Sequence, residues 1–103
     1  MSFEIMASGN IATAPIPKTI GGKEYLTFTV TSNVREDEGQ TTEWIDCLVG
    51  SLLKRRASKM RKGDGVWVRG HVTRRSYTHG NEHRECWQMQ VNELITHRET
   101  YES

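Results

Sequence analysis

The chain has 103 residues, of which 35% are hydrophobic and 26% charged, and its formal net charge is +1. This length suits a single domain and is too short for a two-domain enzyme. A domain of this size buries only roughly 60–70% of the surface that its unfolded chain exposes, so its core is thin. We therefore expect it to associate with a second copy of itself. No apolar run reaches the roughly 18 residues of a membrane span, and the N-terminus lacks a signal-peptide pattern, which predicts a soluble, cytoplasmic protein.

The first predicted strand begins near Phe3, and Ile5 is expected to join the core. Two prolines and the pair Gly21-Gly22 then predict a turn-rich connection over residues 15–22. The second predicted strand spans Tyr25 to Thr31, where apolar and polar residues alternate strictly. The residues that this alternation turns inward are Leu26, Phe28 and Val30.

The third predicted strand spans Trp44 to Val49. Its inward residues are Ile45, Cys47 and Val49, and its outward residues are Trp44, Asp46 and Leu48. The charged segment before it, residues 33–42, is predicted to be a flexible loop. Within that loop, the acidic run at 36–38 is interpreted as a solvated cluster, because no second acidic cluster accompanies it to hold a metal.

One segment has helical spacing, beginning at Ser51 as the N-cap and ending before Gly63. Its apolar stripe consists of Leu52, Leu53, Ala57 and Met60. Three consecutive cations, Lys54, Arg55 and Arg56, fall in the predicted first turn, where the helix dipole disfavours positive charge. Either the mismatch is harmless or these cations serve an anion.

The charge is distributed unevenly along the chain. Residues 1–50 carry −4, residues 51–75 carry +8, and residues 76–103 carry −3. Because charges act over only about 10 Å at moderate salt, a polyanion would experience the basic middle segment rather than the total. A solvated basic helix face accounts for the same run equally well.

Two further strands are predicted, the fourth over Val66 to Val72 and the fifth over Arg84 to Leu94. Their inward residues are Val66, Val68 and Val72, then Trp87, Met89 and Val91. His79-Gly80-Asn81 predicts a hairpin tip between them. Five short strands with one helix between the third and fourth predict an all-β fold, a five-stranded OB-fold barrel with a long strand 4–5 hairpin, and other small β-barrels stay open as alternatives. Residues 1–95 would form this domain, and residues 96–103 a short C-terminal extension.

Three aromatic residues fall on the outward register, namely Trp44, Trp67 and Tyr77. The aromatic residues expected inward are Phe3, Phe28 and Trp87. Arg69 and Arg75 share the outward register, and arginines interleaved with aromatic rings predict a nucleic-acid groove, because base stacking contributes about 1–3 kcal/mol per base whatever the sequence. An alternative stays open, since outward tryptophans also anchor contacts between protein subunits.

Catalytic and metal-binding motifs are weak. His79 and His83 are four residues apart, but they lie at a predicted hairpin tip and not on one helix face. Cys47 and Cys86 form no CxxC pair, which argues against a zinc site or a disulfide scaffold, and Cys47 is expected in the core. We therefore predict a protein that is not an enzyme and that holds no cofactor or metal.

Three stretches together resemble the bacterial single-stranded DNA-binding protein family, over roughly residues 3–95. Thr29-Val-Thr-Ser32 is similar to the end of the family's second strand, and Thr42-Glu-Trp-Ile-Asp-Cys-Leu-Val49 to its third. Arg61-Lys-Gly63 followed by residues 66–72 resembles its Arg-Lys-Gly turn and fourth strand. The order and spacing of these stretches make the resemblance specific.

The resemblance implies roles for individual residues. Trp44 matches the family's stacking aromatic on the third strand, Tyr77 the aromatic of the long hairpin, and Arg75 a basic residue just before it. Trp67 falls where the family often has an aromatic on the fourth strand. The sequence departs from the family at two stacking positions, where Gly50 and a residue near Arg35 stand in place of aromatics.

The resemblance implies a protein that coats single-stranded DNA in replication, recombination and repair, as a tetramer or a dimer. The predicted nucleic-acid-binding residues are Trp44, Trp67, Tyr77, Arg69, Arg75, Lys62, Arg74 and Arg35. Two alternatives stay open, a dimeric accessory factor like primosomal replication protein N, with replication or primosome proteins as partners, and an OB-fold module for protein interaction. Family members typically continue into a Gly/Pro-rich linker and an acidic tip, neither of which precedes Ser103.

Overall fold

The computed structural model describes residues 3–36 and 39–97, and within these ranges it describes no side chain at positions 33–36, 40, 41, 77, 79, 84 or 97. Five strands and one short helix follow one another, with the helix between the third and fourth strands as predicted. The elements are β1 (Phe3–Ile20), β2 (Lys23–Glu36), β3 (Gly39–Val49), α1 (Ser51–Ala57), β4 (Gly65–His79) and β5 (Glu82–His97).

The five strands form one sheet that closes on itself in the order β1-β2-β3-β5-β4. Closure depends on β1, whose first half pairs with β4 and whose second half pairs with β2. Asn10 marks the change of partner, because it stands opposite both Gly65 and Thr31. Strands β3 and β5 run parallel through four residue pairs that begin with Ile45 opposite Trp87.

The core lies inside this sheet and confirms the predicted alternation. Every residue expected inward on the second and third strands is buried, as are the valines of the fourth strand and Met89 and Val91 of the fifth. The fully buried members include Phe28, Val30, Cys47, Val49, Val68, Val72 and Met89. Burial of aliphatic side chains from all five strands is the main favourable contribution to folding.

A bulge changes the alternation within β5. The register between β4 and β5 shifts beside Gly70, where β5 contains one residue more than β4. Strict alternation from Val91 would turn Leu94 outward, but the extra residue brings it inward, and it is 1% exposed.

Two glycines permit close contact between strands. A Cβ atom at Gly9 would lie 2.0 Å from the carbonyl oxygen of Thr31, and one at Gly70 would lie 2.0 Å from that of Gln90. Both obstacles are backbone atoms, which cannot rotate away as a side chain can. These positions therefore accept glycine alone without displacement of a strand.

The predicted turn-rich connection over residues 15–22 is wrong for most of its length. Strand β1 continues through Pro15 and Pro17 to Ile20, with Pro17 opposite Leu26. Register shifts on either side of Thr13 interrupt the ladder, and such irregular places are where strands accommodate proline. The turn itself occupies Gly21-Gly22, whose positive φ angles suit a two-residue hairpin.

The loop predicted over residues 33–42 is likewise wrong for the described residues. Strands β2 and β3 remain paired from Ser32 opposite Glu43 to Glu36 opposite Gly39. Charged residues did not end these strands, because cross-strand backbone hydrogen bonds continue the ladder. The acidic residues at 37 and 38 lie outside the described residues.

The helix is shorter than predicted. Gly50 takes the N-cap position instead of Ser51, and the helix ends at Ala57, so the three consecutive cations Lys54 to Arg56 lie in its last turn and not in its first. Positive charge is favourable at that end of the helix dipole, and the predicted mismatch therefore disappears. Leu52 is 97% exposed and does not belong to the core, whereas Met60 is buried beyond the helix end.

Phe3 also differs from the prediction, since it is 49% exposed. It lies at the start of β1, and its ring packs against that of Trp87 in a T-shaped arrangement with 6.1 Å between centroids. Trp87 is partly buried against the core, as is Ile5. None of the described helices is long and apolar enough to cross a membrane.

Candidate nucleic-acid interface

The register of the closed sheet places outward residues of different strands in rows. Arg75 on β4 stands opposite Cys86 on β5. Strand β5 lies between β4 and β3. If the parallel register of β3 and β5 is continued by one residue, Trp44 of β3 stands beside Cys86, on the side of β5 away from Arg75. Trp44 and Arg75 therefore lie in one row, separated by one strand and thus by about 10 Å between their backbones.

A groove of about 770 Å³ runs over the adjoining rows of the same surface, and we call it the sheet groove. Four strands contribute to it at outward positions, and the end of β1 closes one side. Its lining residues are Lys18, Ile20, Tyr25, Leu48, His71, Thr73, Arg75, Gln88 and Gln90. The lining contains two permanent cations, a histidine and an aromatic ring, and among the described residues no carboxylate lines it.

Trp44 extends this surface along β3, two outward positions before Leu48. It pairs with Thr31 in the ladder and is 56% exposed. An exposed indole on a strand contributes nothing to the core, so its position is better suited to contact with a ligand or another chain.

One acidic residue, Asp46, lies between Trp44 and the sheet groove. Its carboxylate accepts a hydrogen bond from the hydroxyl of Thr29, 3.1 Å away on the neighbouring strand. The pKa of Cys86 is raised, mainly because the thiol is partly desolvated and secondly because of the negative charge of Asp46. The positive charge of Arg75 lowers it. Asp46 and Arg75 thus act on this thiol in opposite directions.

Trp67 occupies a different part of the barrel. It stands on β4 between Ser8 of β1 and Ile95 of β5. Along the strand it is four residues, or about 13 Å, from His71 of the sheet groove, and eight residues, or about 27 Å, from Arg75 in the row of Trp44. Its apolar neighbours on this surface, Met6 and Ile95, are 64% and 55% exposed. The structure therefore does not bring Trp67 together with Trp44.

Two of the predicted arginines have acidic partners. Arg69 forms an ion pair with Glu93, which stands opposite it on β5. Arg74 alternates to the other face of β4 from Arg75, where its guanidinium lies 2.6 Å from the carboxylate of Glu85 and 5.2 Å from the centre of the Trp87 ring. Neither arginine lines the sheet groove, and each has a carboxylate partner.

The remaining predicted residues are placed only in part. Tyr77 pairs with Arg84, and Arg35 pairs with Gln40, in the backbone ladders, while the side chains of both lie outside the described ones. Lys62 is exposed in the turn between α1 and β4 and does not line the groove. The roles of these residues in binding stay predictions.

Several groove residues were not among the predicted ones, although the outward register of β4 and β5 already contained His71, Gln88 and Gln90. Alternation also turned Tyr25 outward, and an aromatic ring in that position was a usable signal. Lys18 had no such signal, because it was assigned to a connection and not to a strand.

The described residues provide no group of three or more histidine, cysteine or acidic side chains that could hold a metal ion. Cys47 is fully buried, and desolvation raises the pKa of its thiol far above the usual value. A neutral buried thiol is a poor nucleophile, which fits its place in the core.

Comparisons with known proteins bear on the fold and on the family. The solved structures that resemble the chain include a small single-stranded DNA-binding protein from Streptomyces coelicolor, with a TM-score of 0.74 and 23% identity over 91% of this chain and 93% of that one. Another is a Plasmodium falciparum SSB in complex with ssDNA, with a TM-score of 0.69 and 23% identity over 90% of this chain and 92% of that one. A third is a mitochondrial single-stranded DNA-binding protein from S. cerevisiae, with a TM-score of 0.72 and 15% identity over 95% and 97% of the two chains.

At these identities the structural likeness establishes the fold. A search of curated protein sequences finds no match. The sequence profile of the single-strand binding protein family, however, matches residues 3–95, which is most of the chain. The chain therefore belongs to the single-strand binding protein family.

Proposed function

We propose that this chain is a non-catalytic OB-fold barrel that binds single-stranded DNA in the sheet groove with little sequence preference. The observation that carries the proposal is the row that joins exposed Trp44 to Arg75 beside a groove that no carboxylate of the described residues lines. A stacking ring and a cation at this spacing suit a base and its phosphate, because aromatic rings stack on any base and cations follow the backbone.

Different residues would contact the bases and the phosphates of the strand. Trp44 offers its indole face to a base, and Tyr25 offers a second ring within the groove. Arg75 and Lys18 neutralise phosphates, and Arg75 can bind two phosphate oxygens at once. Gln88 and Gln90 present amides that both donate and accept hydrogen bonds, so they tolerate different base edges.

A fluorescence titration with oligo-dT tests this proposal. Trp44 is more exposed than the half-buried Trp67 and Trp87, so its emission should fall when a base stacks on it. Affinity should also fall steeply with salt, by a slope of about 0.7 in log K per phosphate contact. Absence of any binding at low salt with micromolar protein would overturn the proposal, and double-stranded DNA of the same length is the control.

A second surface favours association between copies of the chain. Met6, Trp67 and Ile95 are apolar side chains near one another on the β1, β4 and β5 surface, and two of them are more than half exposed. Aromatic and apolar side chains in one patch are typical of protein contacts. We propose a homo-oligomer formed through this patch, which light scattering of the Trp67→Ala variant tests. Recruitment of replication or primosome proteins stays a prediction, as does the cytoplasmic location.

A further inference from the structure

The sheet groove does not end at the edge of the sheet. A second groove of about 840 Å³ lies between the β1–β2 turn and the start of α1, and it shares Tyr25 and Gln90 with the sheet groove. We call it the helix groove. The two grooves therefore adjoin at these two residues.

The helix groove leads in turn to a basic patch on the outer side of the helix. The patch is a third depression, of about 330 Å³, lined by Leu52, Leu53, Arg55, Arg56 and Lys59. It shares Leu52 and Leu53 with the helix groove. The three depressions therefore form one path from the sheet, past Tyr25, to the cations of the helix.

The charge along this path suits a polyanion. Lys23 and Lys54 line the helix groove, and three cations line the basic patch. Within the part of the chain that the structure describes, the one carboxylate that lines the path is Glu24, whose carboxylate oxygen lies 3.7 Å from the Nζ of Lys54. Both partners of this pair are substantially exposed, so the pair is weak and a phosphate can replace Glu24 as the partner of Lys54.

The side chains of the basic patch differ in their contacts with the rest of the protein. Arg56 donates a hydrogen bond of 2.9 Å to the carbonyl oxygen of Leu94, which fixes the helix against the end of β5. Arg55 is exposed on the neighbouring position and lines the basic patch. Leu52 is 97% exposed, and an apolar side chain so placed has no role in the core but can pack against a base.

We propose that a bound single strand continues from the sheet groove through the helix groove to the basic patch, so that α1 forms a second binding segment of the same site. This proposal rests on the proposed function. Lys54 and Arg55 would bind phosphates there, and Leu52 would contact a base. The basic run in the sequence thus has a binding role in a single chain, without requiring DNA to wrap around an oligomer.

The test compares a short and a long oligo-dT, of about 6 and about 16 nucleotides, near the two ends of the site size of one OB fold. For each we would measure the dependence of log K on log salt with the full chain and with Arg55→Ala. Loss of one phosphate contact should reduce the slope by about 0.7 for the long oligonucleotide and leave it unchanged for the short one.

Arg61→Ala is the matched control, because Arg61 is equally exposed and equally charged but lines none of the three depressions. Its slope should match that of the parent chain with both oligonucleotides. Glu24→Gln removes the carboxylate from the path and should strengthen binding of the long oligonucleotide alone.

Three results would overturn the proposal. If Arg55→Ala leaves the long oligonucleotide unaffected, or if Arg61→Ala weakens it equally, the strand does not reach the basic patch, although binding of the short oligonucleotide still supports the proposed function. If the parent chain binds neither oligonucleotide, the proposed function fails as well.

Discussion

The outer surface of the barrel carries a tryptophan in two regions, and the surroundings of the two differ. Trp44 lies near Arg75 and a groove lined by cations and amides. Trp67 lies near exposed apolar side chains, and the nearest arginine along its strand, Arg69, is paired with Glu93. An outward aromatic on a strand therefore does not by itself indicate nucleic-acid binding. We predict from the charge of the neighbouring side chains that Trp44 contacts a base and Trp67 a protein surface.

The largest effect is expected at the point on β4 where the two regions meet. Gly70→Ala places a Cβ 2.0 Å from the carbonyl oxygen of Gln90, so β5 must move away from β4. We expect the free energy of unfolding to fall by about 4 kcal/mol or more. Oligonucleotide binding and association between copies should be lost together. Urea unfolding followed by circular dichroism measures this loss.

Gly50→Ala is the control for that variant. Its added Cβ would meet only the Cε1 of Tyr25, at 3.9 Å, and its φ of −88° suits any residue. Since alanine is a poorer N-cap than glycine, we expect a loss below about 1 kcal/mol. Equal stability of the two variants would show that β4 and β5 are not in such close contact at Gly70.

The next largest effect distinguishes the roles of the two tryptophans. Trp44→Ala should weaken oligo-dT binding by about 1–3 kcal/mol, or roughly fivefold to 150-fold, because a stacking platform is lost. Trp67→Ala should leave the affinity for a short oligonucleotide unchanged and shift the protein toward smaller assemblies. Anisotropy of a labelled oligonucleotide measures the first result, and light scattering measures the second.

Trp44→Phe provides the control, since it keeps a ring for stacking and should retain most of the affinity. If Trp67→Ala weakens short-oligonucleotide binding as much as Trp44→Ala does, the distinction between the two regions is wrong, and the prediction that Trp67 stacks a base gains support.

The smallest effect concerns the arginines of the two regions. Arg75→Ala should reduce the salt dependence of log K by a slope of about 0.7, because one phosphate contact is lost. Arg69→Ala should reduce the slope by less than Arg75→Ala does, because a phosphate must first displace Glu93 before it can pair with Arg69. A series of titrations between low and moderate salt measures both. The opposite ranking would mean that the ion pair opens when DNA binds and that the strand crosses the second region.

Much of the fold could be predicted because alternation is a local property. Leu26, Phe28 and Val30 occupy every second position of β2, and their burial follows wherever that strand pairs. The errors arose where local signals were overridden. Pro17 indicated a connection but pairs with Leu26 inside a long strand. Leu52 was predicted to join the apolar stripe of a longer helix, but it lies on the solvent-exposed side of a short one.

The candidate site could be predicted only as a set of outward residues. Alternation assigned Trp44, Trp67 and Arg75 to the outer surface, and in this respect all three agree with the structure. It also assigned Arg69 there, but the sequence contains nothing that identifies Glu93 as its partner. The pairing depends on the register of β4 against β5, which the bulge beside Gly70 shifts by one residue.

The sequence by itself determined which residues of β2, β3 and β4 face the core, between which strands the helix lies, and that a basic segment lies in the middle of the chain. Only the tertiary structure decided which outward residues meet. Trp44 and Arg75 become neighbours because β3 and β5, some forty residues apart, pair in parallel. Such contacts depend on strand order and register across the closed sheet, and no local pattern encodes either of them.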